Sequence, residues 1–298
     1  MTARPRESYN ATLAGLRRIH DDLVVMRVRP DSPIPAYEAG QGITLGVGMW
    51  EPRVPGLPPE ELAQAETESI VRRPFSISSP ILCDTEPRLL RPEEEDFYEL
   101  YVTLPRDRLV PSVMVARLFA LEQGARLWVD ARPRGDNTLQ GVQPTDDVLF
   151  AATGTGEAPH NRMLWELLRR GHRGRLASIV TTRRRADQAY REVHEHVMQL
   201  FPGYRYTAIA TREPGERGAH LQEMLRNGSL EERAGFALDP ARAHVFLCGN
   251  PDMIGAPRIA GEDVLYPSAL GMVEILERQR GFHSNPRRGR VNVHFERY

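Results

Sequence analysis

The sequence predicts a two-domain fold, in which an N-terminal antiparallel β-barrel is followed by a C-terminal α/β domain with a parallel sheet. The chain of 298 residues is long enough for two hydrophobic cores. Short apolar segments separated by turn residues fill the first half, as in small barrels. From about residue 147 strands alternate with helices, which indicates a parallel sheet covered on both faces. We therefore expect domains at residues 1–144 and 145–298.

The predicted barrel strands are short and rich in apolar or β-branched residues. Acidic, proline-rich and glycine-containing turns separate them, and one helix is predicted at residues 111–121. Residues 51–69 interrupt this pattern with prolines and an acidic run, so we interpret them as a surface insertion with one helix near 60–68. The predicted strands are 13–19, 23–29, 43–49, 73–78, 98–104 and 126–129.

The second domain is predicted to place its ligands at the carboxyl ends of its strands, as open parallel sheets do. Residues 255–266 are interpreted as another insertion. The predicted strands are 148–152, 176–181, 206–210, 244–248 and 291–295, and the predicted helices are 161–170, 186–200, 219–227 and 270–280.

Composition excludes several classes of protein. Hydrophobic residues at 41% and charged residues at 27% are ordinary for a globular protein, and a net charge of −1 gives no overall attraction to nucleic acid. No apolar run approaches the roughly 20 residues that span a bilayer, and residues 1–10 have no signal-peptide core. Cys83 and Cys248 are too few for a disulfide framework or a four-thiolate iron–sulfur cluster. We expect a cytoplasmic protein without membrane insertion.

A glycine turn at residues 151–159 separates the first strand of the second domain from its first helix. Gly154 and Gly156 allow the backbone to approach a ligand, and the helix start supplies unpaired N–H groups and a positive dipole end. Such a turn suits a diphosphate, although the usual G-x-G-x-x-G spacing is absent. Glu157 lies inside the turn, where a carboxylate beside a diphosphate is unfavourable unless it points to solvent.

A second segment places a guanidinium, an aromatic ring and a hydroxyl on one barrel strand, at Arg73, Phe75 and Ser76. Because side chains alternate along a strand, Arg73 and Phe75 share one face and Ser76 lies on the other. An edge strand with an exposed arginine and a core phenylalanine is the structural alternative.

Two further segments lie near the C-terminus. Residues 244–251 form a strand that ends in a glycine turn, with Cys248 at the carboxyl end; a buried structural cysteine is the alternative to a functional one. Residues 291–298 alternate like a strand and finish on Tyr298. Both segments belong to the predicted parallel sheet.

Together, in this order and at these separations, the four segments resemble the ferredoxin–NADP reductase family, and most closely the bacterial ferredoxin/flavodoxin reductases. The resemblance covers nearly the whole chain. Its flavin motif, Arg-x-aromatic-Ser, is matched by residues 73–76, its Gly-Thr-Gly-x-Ala-Pro turn by residues 154–159, and its Cys-Gly-Asn-Pro element by residues 248–251.

The resemblance implies bound FAD. Arg73 would neutralise diphosphate charge, Phe75 would stack on the isoalloxazine, and Ser76 would hydrogen-bond the N5 region as a catalytic residue. Phe75 stands where the family usually has tyrosine, so stacking is kept and the phenol hydrogen bond is lost. The backbone lining the flavin is implied to come from Tyr101, Val102 and Thr103.

The resemblance and the charge pattern both favour NADP(H). Two neighbouring strand ends carry arginine, and a 2′-phosphate needs cations where a free ribose needs a carboxylate. Arg183 and Arg212 correspond to the family's 2′-phosphate positions, and Tyr190 to the residue that stacks near the adenine. A solvated basic face is the structural alternative.

The nicotinamide end is implied to involve Thr155, Gly156 and Cys248. Glu296 matches a carboxylate implicated in positioning and proton delivery; a surface charge in an edge strand is its alternative. Tyr298 is placed over the outer face of the flavin or nearer the adenine. Cys248 and Glu296, with Ser76, are the predicted catalytic residues.

The predicted function is therefore an FAD-dependent reductase that passes electrons between NADPH, by hydride transfer to flavin N5, and ferredoxin or flavodoxin. Acidic carriers of this kind would dock on basic residues. The alternatives are the reductase component of an oxygenase, a general NADPH-flavin reductase, or a non-catalytic flavin-binding subunit. Candidate docking residues are Arg132, Arg134, Arg287 and Arg288.

Overall fold

The computed structural model describes residues 8–60, 67–106, 112–260 and 263–297. The chain divides into two compact units, formed by Met1–Ser79 with Leu90–Asp136 and by Pro80–Leu89 with Asn137–Tyr298. The second unit thus begins eight residues before the predicted boundary of 144/145. The connecting segment joins it because Arg173 N donates to the carbonyl oxygen of Pro144 at 2.8 Å.

The first unit is an antiparallel barrel. Its strands are β1 Ala11–His20, β2 Leu23–Pro30, β3 Gly42–Gly48, β4 Ile70–Ser76, β5 Tyr98–Thr103 and β6 Arg126–Val129. They pair in the order β4-β3-β6-β1-β2-β5. An antiparallel bridge between Ser78 and Glu99 links the two ends of this order. The predicted barrel is confirmed, and each predicted strand is found within three residues of its expected bounds.

The barrel core comes from the alternation of apolar residues along the strands. Leu13, Val24, Met26 and Leu100 are among the buried side chains that fill it. Helix α1, Val113–Leu118, starts where Ser112 accepts from Val115 N, and it is shorter than the predicted 111–121. Part of the helix predicted at 60–68 lies outside the described residues.

The second unit is a parallel sheet with helices on its faces, as predicted. Its strands are β7 Asp147–Thr153, β8 Leu176–Thr182, β9 Tyr204–Ala210, β10 Ala243–Gly249 and β13 Val293–Arg297, and they pair in the order β13-β10-β7-β8-β9. The helices are α2 Glu157–Arg169, α3 Arg191–Leu200, α4 Leu221–Asn227, α5 Ser229–Ala234, α6 Pro251–Ile254 and α7 Met272–Arg280. Inside the predicted insertion, β11 Arg258–Ala260 and β12 Asp263–Leu265 form an antiparallel pair.

Local hydrogen bonds explain where the helices differ from prediction. Helix α3 begins at Arg191 instead of residue 186 because a 3-10 turn, Arg185–Asp187, precedes it, and Asp187 accepts from Arg184 N at 2.9 Å. Helix α5 was not predicted; left-handed Gly228 separates it from α4. No helix in the described part of the chain is long and apolar enough to cross a bilayer.

The two faces of the parallel sheet differ in chemistry. One face is apolar, with Leu149, Val245 and Leu247 packed in the main core of the unit. The other carries rings: Phe246 packs against Phe150 at 5.5 Å between centroids, and stacks on the ring of His294 at 4.3 Å. Since all five strands are parallel, their carboxyl ends meet at one edge, which is where the predicted nucleotide residues lie.

Candidate functional site

The glycine turn is packed directly on the end of strand β10. Gly154–Gly156 forms one 3-10 turn between β7 and α2. A Cβ on Gly156 would clash with the carbonyl oxygen of Cys248 and lie 2.8 Å from Gly249 N. Only glycine allows the turn to approach β10 this closely.

The Cys-Gly-Asn-Pro element is tied to the same turn. Gly249 has a positive φ of 121°, and a Cβ there would lie 2.6 Å from the carbonyl oxygen of Thr153. Asn250 N donates to Thr153 Oγ1 at 2.6 Å, and Asn250 Oδ1 accepts from Asp252 N at 2.9 Å, which caps α6. The two glycine-containing turns therefore form one hydrogen-bonded structure at the carboxyl edge.

The turn has an open side suited to a diphosphate. Gly154 adopts a positive φ of 54°, and a Cβ placed on it would meet nothing within 4 Å. Thr155 is partly buried beside it. The turn leads into the N-terminus of α2, a helix of 13 residues whose dipole favours an anion there. These residues fit the diphosphate of a dinucleotide.

Two of the predicted catalytic residues are brought together by strand register. Cys248 on β10 lies opposite Glu296 on β13, and Cys248 Sγ is 4.0 Å from Glu296 Oε2. The cysteine is fully buried and the glutamate partly buried. Ser76, the third predicted catalytic residue, belongs to the first unit and is 7% exposed.

The predicted phosphate residues Arg183 and Arg212 are neighbours. Arg212 N donates to the carbonyl oxygen of Arg183 at 3.0 Å, just beyond the ends of β8 and β9, and both residues are exposed. Next to this pair, Arg185 N donates to Glu213 Oε1 at 2.6 Å. The two predicted phosphate residues are therefore adjacent and exposed at one sheet edge, and their binding of a 2′-phosphate stays a prediction.

Tyr190 lies at the N-cap of α3, with its ring buried and 1% exposed. It therefore presents almost no face to solvent. Stacking on an adenine would require this ring to become accessible, so its cofactor role stays a prediction. Tyr298 lies outside the described residues, and its placement likewise stays a prediction.

The predicted flavin residues occupy two strands of the barrel. On β4, Arg73 is exposed and Phe75 is partly buried against the barrel core. On β5, Tyr101 and Val102 are buried, whereas Thr103 is exposed and its Oγ1 donates to the carbonyl oxygen of Asp22 at 3.2 Å. Val102 packs in the barrel core. Any contact it makes with a flavin would therefore come from its backbone, as expected.

The sequence indicated that Glu157 would be unfavourable beside a diphosphate unless it pointed to solvent, and the structure instead buries it. The residue is 1% exposed. Its Oε1 accepts from the Tyr206 hydroxyl at 2.9 Å and lies 3.2 Å from His194 Nε2. His194, Tyr204 and Tyr206 were not singled out in the sequence, because their meeting depends on how α3 packs over β9.

A histidine cluster lies at the amino end of the sheet, away from the turn. His244 and His294 are 3.0 Å apart between Nδ1 and Nε2, and Arg290 Nη2 lies 2.7 Å from His244 Nε2. Burial and then Arg290 lower the pKa of His244 to about 4. Burial and then His244 lower the pKa of His294 to about 3. Both rings are therefore neutral at pH 7.

Known proteins and one family model match most of the chain. The oxidoreductase NAD-binding domain family matches residues 150–258. Ferredoxin–NADP reductase B of Sorangium cellulosum is 30% identical over 246 residues, which cover 78% of this chain and 88% of that protein. The chain belongs to the ferredoxin–NADP reductase family.

Two other known proteins resemble the chain at lower identity. The flavodoxin/ferredoxin–NADP reductase of Escherichia coli strain K12 is 26% identical over 166 residues, or 55% of this chain; the match spans only 65% of that reductase's length. The crystal structure of a ferredoxin NADP+ reductase from Neisseria gonorrhoeae, with bound FAD and NADP, superposes with a TM-score of 0.68 at 18% identity, covering 97% of each chain. This likeness shows that the two-domain fold is shared.

Proposed function

We propose that this member of the family is an FAD-dependent reductase that exchanges electrons between NADPH and ferredoxin or flavodoxin. One observation carries the coenzyme assignment: Arg183 and Arg212, joined by a backbone hydrogen bond, lie on the sheet edge that also holds the glycine turn. Paired cations beside a diphosphate turn suit a dinucleotide with a 2′-phosphate. The names of the relatives, which specify NADP with ferredoxin or flavodoxin, support the same assignment.

The second unit would hold the coenzyme from both ends. Backbone N–H groups around Thr155 and Gly156 would bind the diphosphate, and Arg183 and Arg212 would make charge-assisted hydrogen bonds to the 2′-phosphate. At the nicotinamide end, the small side chain of Cys248 would line the site and exclude water. Glu296 would contribute a carboxylate able to hold a proton near the reacting ring. Tyr190 and Tyr298 remain proposed contacts of the adenine and the flavin.

The barrel would hold FAD through residues of β4 and β5. Arg73 is exposed and would meet a diphosphate, Phe75 would offer a ring for stacking, and Ser76 would offer a hydroxyl near N5. Tyr101, Val102 and Thr103 would add backbone contacts. When bound, FAD supplies the chemistry that converts a hydride from NADPH into single electrons. FAD and NADP are both bound in the Neisseria gonorrhoeae structure of the same fold.

The electron carrier would dock on basic residues, since ferredoxins and flavodoxins are acidic. Arg132 and Arg134 are exposed in the first unit, and Arg287 is exposed in the second. Arg288, next in sequence, is proposed with them. We place the reaction in the cytoplasm, where NADPH and reduced carriers are found together.

The experiment that tests this function is NADPH-driven turnover with ferredoxin and flavodoxin purified from the same cell. The expected result is rapid reduction of at least one carrier, with a salt-sensitive rate because docking is electrostatic. Reduction of free flavin or of an oxygenase partner alone would favour a general flavin reductase or an oxygenase component. Failure of NADPH to reduce the bound flavin would leave only a non-catalytic subunit.

A further inference from the structure

The arginine pair belongs to two segments that remain hydrogen-bonded beyond the ends of their strands. Thr211 N donates to the carbonyl oxygen of Thr182 at 2.9 Å, and Thr211 Oγ1 donates to the same oxygen at 3.0 Å. One residue further on, Arg212 N donates to the carbonyl oxygen of Arg183 at 3.0 Å. The position of each arginine therefore depends on the neighbouring segment.

Past Arg183, a side chain continues the link between the two segments. Glu213 Oε1 accepts from Arg185 N at 2.6 Å, and Glu213 Oε2 lies 3.8 Å from Arg185 Nε. Glu213 follows β9 and Arg185 follows β8. This carboxylate thus holds the segment after β8 against the turn after β9.

The turn that carries Glu213 is fixed by hydrogen bonds of its own. Glu213 N donates to the carbonyl oxygen of Ala210 at 3.0 Å, and Ala210 N donates to Glu216 Oε2 at 2.6 Å. The side chain of Glu213 is only 35% exposed. Its carboxylate is therefore presented to Arg185 N from a fixed support.

The segment after β8 is also bonded internally, but these bonds do not attach it to the turn after β9. Arg184 N donates to Asp187 Oδ2 at 2.9 Å, and Thr182 Oγ1 donates to the carbonyl oxygen of Arg184 at 2.8 Å. Both bonds lie within residues 182–187. Attachment beyond the backbone contact of Arg183 comes from Glu213.

We propose that Glu213 is a positioning residue for the 2′-phosphate: by tying Arg185 N to the turn after β9, it holds Arg183 and Arg212 side by side before the coenzyme binds. This inference rests on the proposed function, because it concerns the same NADP(H) site. Ordering a segment costs conformational entropy, so a site that is already ordered binds its phosphate more tightly. NADH gains nothing from this order, since it has no phosphate for the arginines to bind.

The charge of Glu213 acts against its positioning role, because a carboxylate near a phosphate weakens phosphate binding. Variants are therefore compared at equal charge. Glu213→Gln and Glu213→Ala both lack the charge, and only glutamine keeps an acceptor for Arg185 N. Glu213→Asp keeps the charge on a side chain one methylene shorter, which withdraws the acceptor from Arg185 N.

The test is isothermal titration calorimetry of the full chain with NADP+, NAD+ and adenosine 2′-monophosphate. The Kd for NADP+ should be roughly fivefold higher for Glu213→Ala than for Glu213→Gln, the ratio that corresponds to ordering the backbone of one residue. Adenosine 2′-monophosphate should show the same ratio, because it carries the phosphate in question. NAD+ should bind the two variants equally within twofold. Glu213→Asp should bind NADP+ more weakly than the unaltered protein by a similar factor.

Glu223 supplies the matched control. It is exposed on α4 and pairs with Arg226 at 3.1 Å. Glu223→Ala and Glu223→Gln should bind NADP+ equally within twofold. If Glu213→Ala does not fold, the comparison of Glu213→Asp with the unaltered protein carries the same expectation.

Equal NADP+ binding by the alanine and glutamine variants of Glu213 would overturn the positioning role. A loss of NAD+ binding in the same ratio would also overturn it, since Glu213 would then act on the whole nucleotide site, for example as an acceptor for the ribose hydroxyls. If the unaltered protein binds NADP+ no more tightly than NAD+, the proposed coenzyme assignment fails, and the inference fails with it.

Discussion

At the scale of single residues, the carboxyl edge of the parallel sheet depends on atoms that only glycine allows to meet. Gly156 lies against the carbonyl group of Cys248, and Gly249 lies against Thr153. These contacts set the distance between the predicted diphosphate turn and the Cys248–Glu296 pair. Adding one carbon atom at Gly156 should therefore lower both the free energy of unfolding and the affinity for NADP+.

Gly156→Ala tests this packing. Gly156 has φ −61° and ψ −12°, which alanine adopts without strain, so any effect comes from the clash with Cys248. We expect a loss of about 1–3 kcal/mol in the free energy of unfolding, typical of overpacking, and at least tenfold weaker NADP+ binding. Urea denaturation and calorimetry measure these. Gly203→Ala, where a Cβ meets nothing within 4 Å, is the control and should be nearly neutral.

The arginine pair is tested by Arg183→Ala and Arg212→Ala. Each removes charge-assisted hydrogen bonds worth about 1.5–3 kcal/mol, so kcat/KM for NADPH should fall roughly 10- to 100-fold. The value for NADH should change little. Arg170→Ala, which removes a charge paired with Glu166 at the far end of α2, is the matched control. Equal losses with both coenzymes would contradict the 2′-phosphate assignment.

At the scale of elements, strand β13 joins the sheet through pairs that differ along its length. Near the carboxyl end it contributes Glu296 opposite Cys248, and two pairs further in, His294 stacks on Phe246. Beyond that, His244 lies between His294 and Arg290. The pairing of β10 with β13 thus contains one buried and one half-buried neutral histidine, which makes it sensitive to acid.

Stability should fall as the pH drops below about 6.5. The pKa of His244 is about 4 and that of His294 about 3 in the folded protein, whereas unfolded histidine titrates near 6.5. The unfolded chain therefore binds protons first, so the stabilisation is complete above 6.5 and is lost towards pH 4. Urea denaturation should show a loss of at least roughly 2 kcal/mol between pH 7 and 4.5.

His294→Gln should reduce this pH dependence, because it removes one titrating ring and keeps an acceptor for His244. The exposed His220→Gln is the control and should leave the slope as it is. A slope unchanged by His294→Gln would contradict the assignment of acid sensitivity to the β10–β13 pairing.

Strands were predicted more accurately than helix ends, for physical reasons. Apolar runs such as 148–152 and 244–248 report burial directly, and the structure places strands there. The start of α3 depends instead on a hydrogen bond that the Asp187 carboxylate accepts from Arg184 N, and the break between α4 and α5 depends on left-handed Gly228. Both depend on local backbone conformation, which the pattern of apolar residues does not predict.

The candidate site shows the same division. The motifs placed the glycine turn, Cys248 and the arginine pair on one sheet edge because parallel strands end together. The burial of Glu157 was not predictable, because its partners His194 and Tyr206 come from α3 and β9, far away in sequence. The burial of Tyr190 likewise depends on tertiary packing around the N-cap of α3.

At the scale of the whole molecule, each unit supplies one half of the proposed chemistry. The barrel carries Arg73, Phe75 and Ser76, and the parallel sheet carries the glycine turn and the arginine pair. We propose that a flavin held by the first unit is reduced by a dinucleotide held by the second, with a strong preference for NADPH.

Anaerobic stopped-flow spectrophotometry of the purified flavin-loaded protein tests this claim most directly. Mixing with NADPH should bleach the flavin absorbance rapidly, and NADH should be roughly 100-fold less efficient, since it lacks the phosphate that Arg183 and Arg212 bind. Absence of bleaching with NADPH, or comparable efficiency with the two coenzymes, would contradict the account.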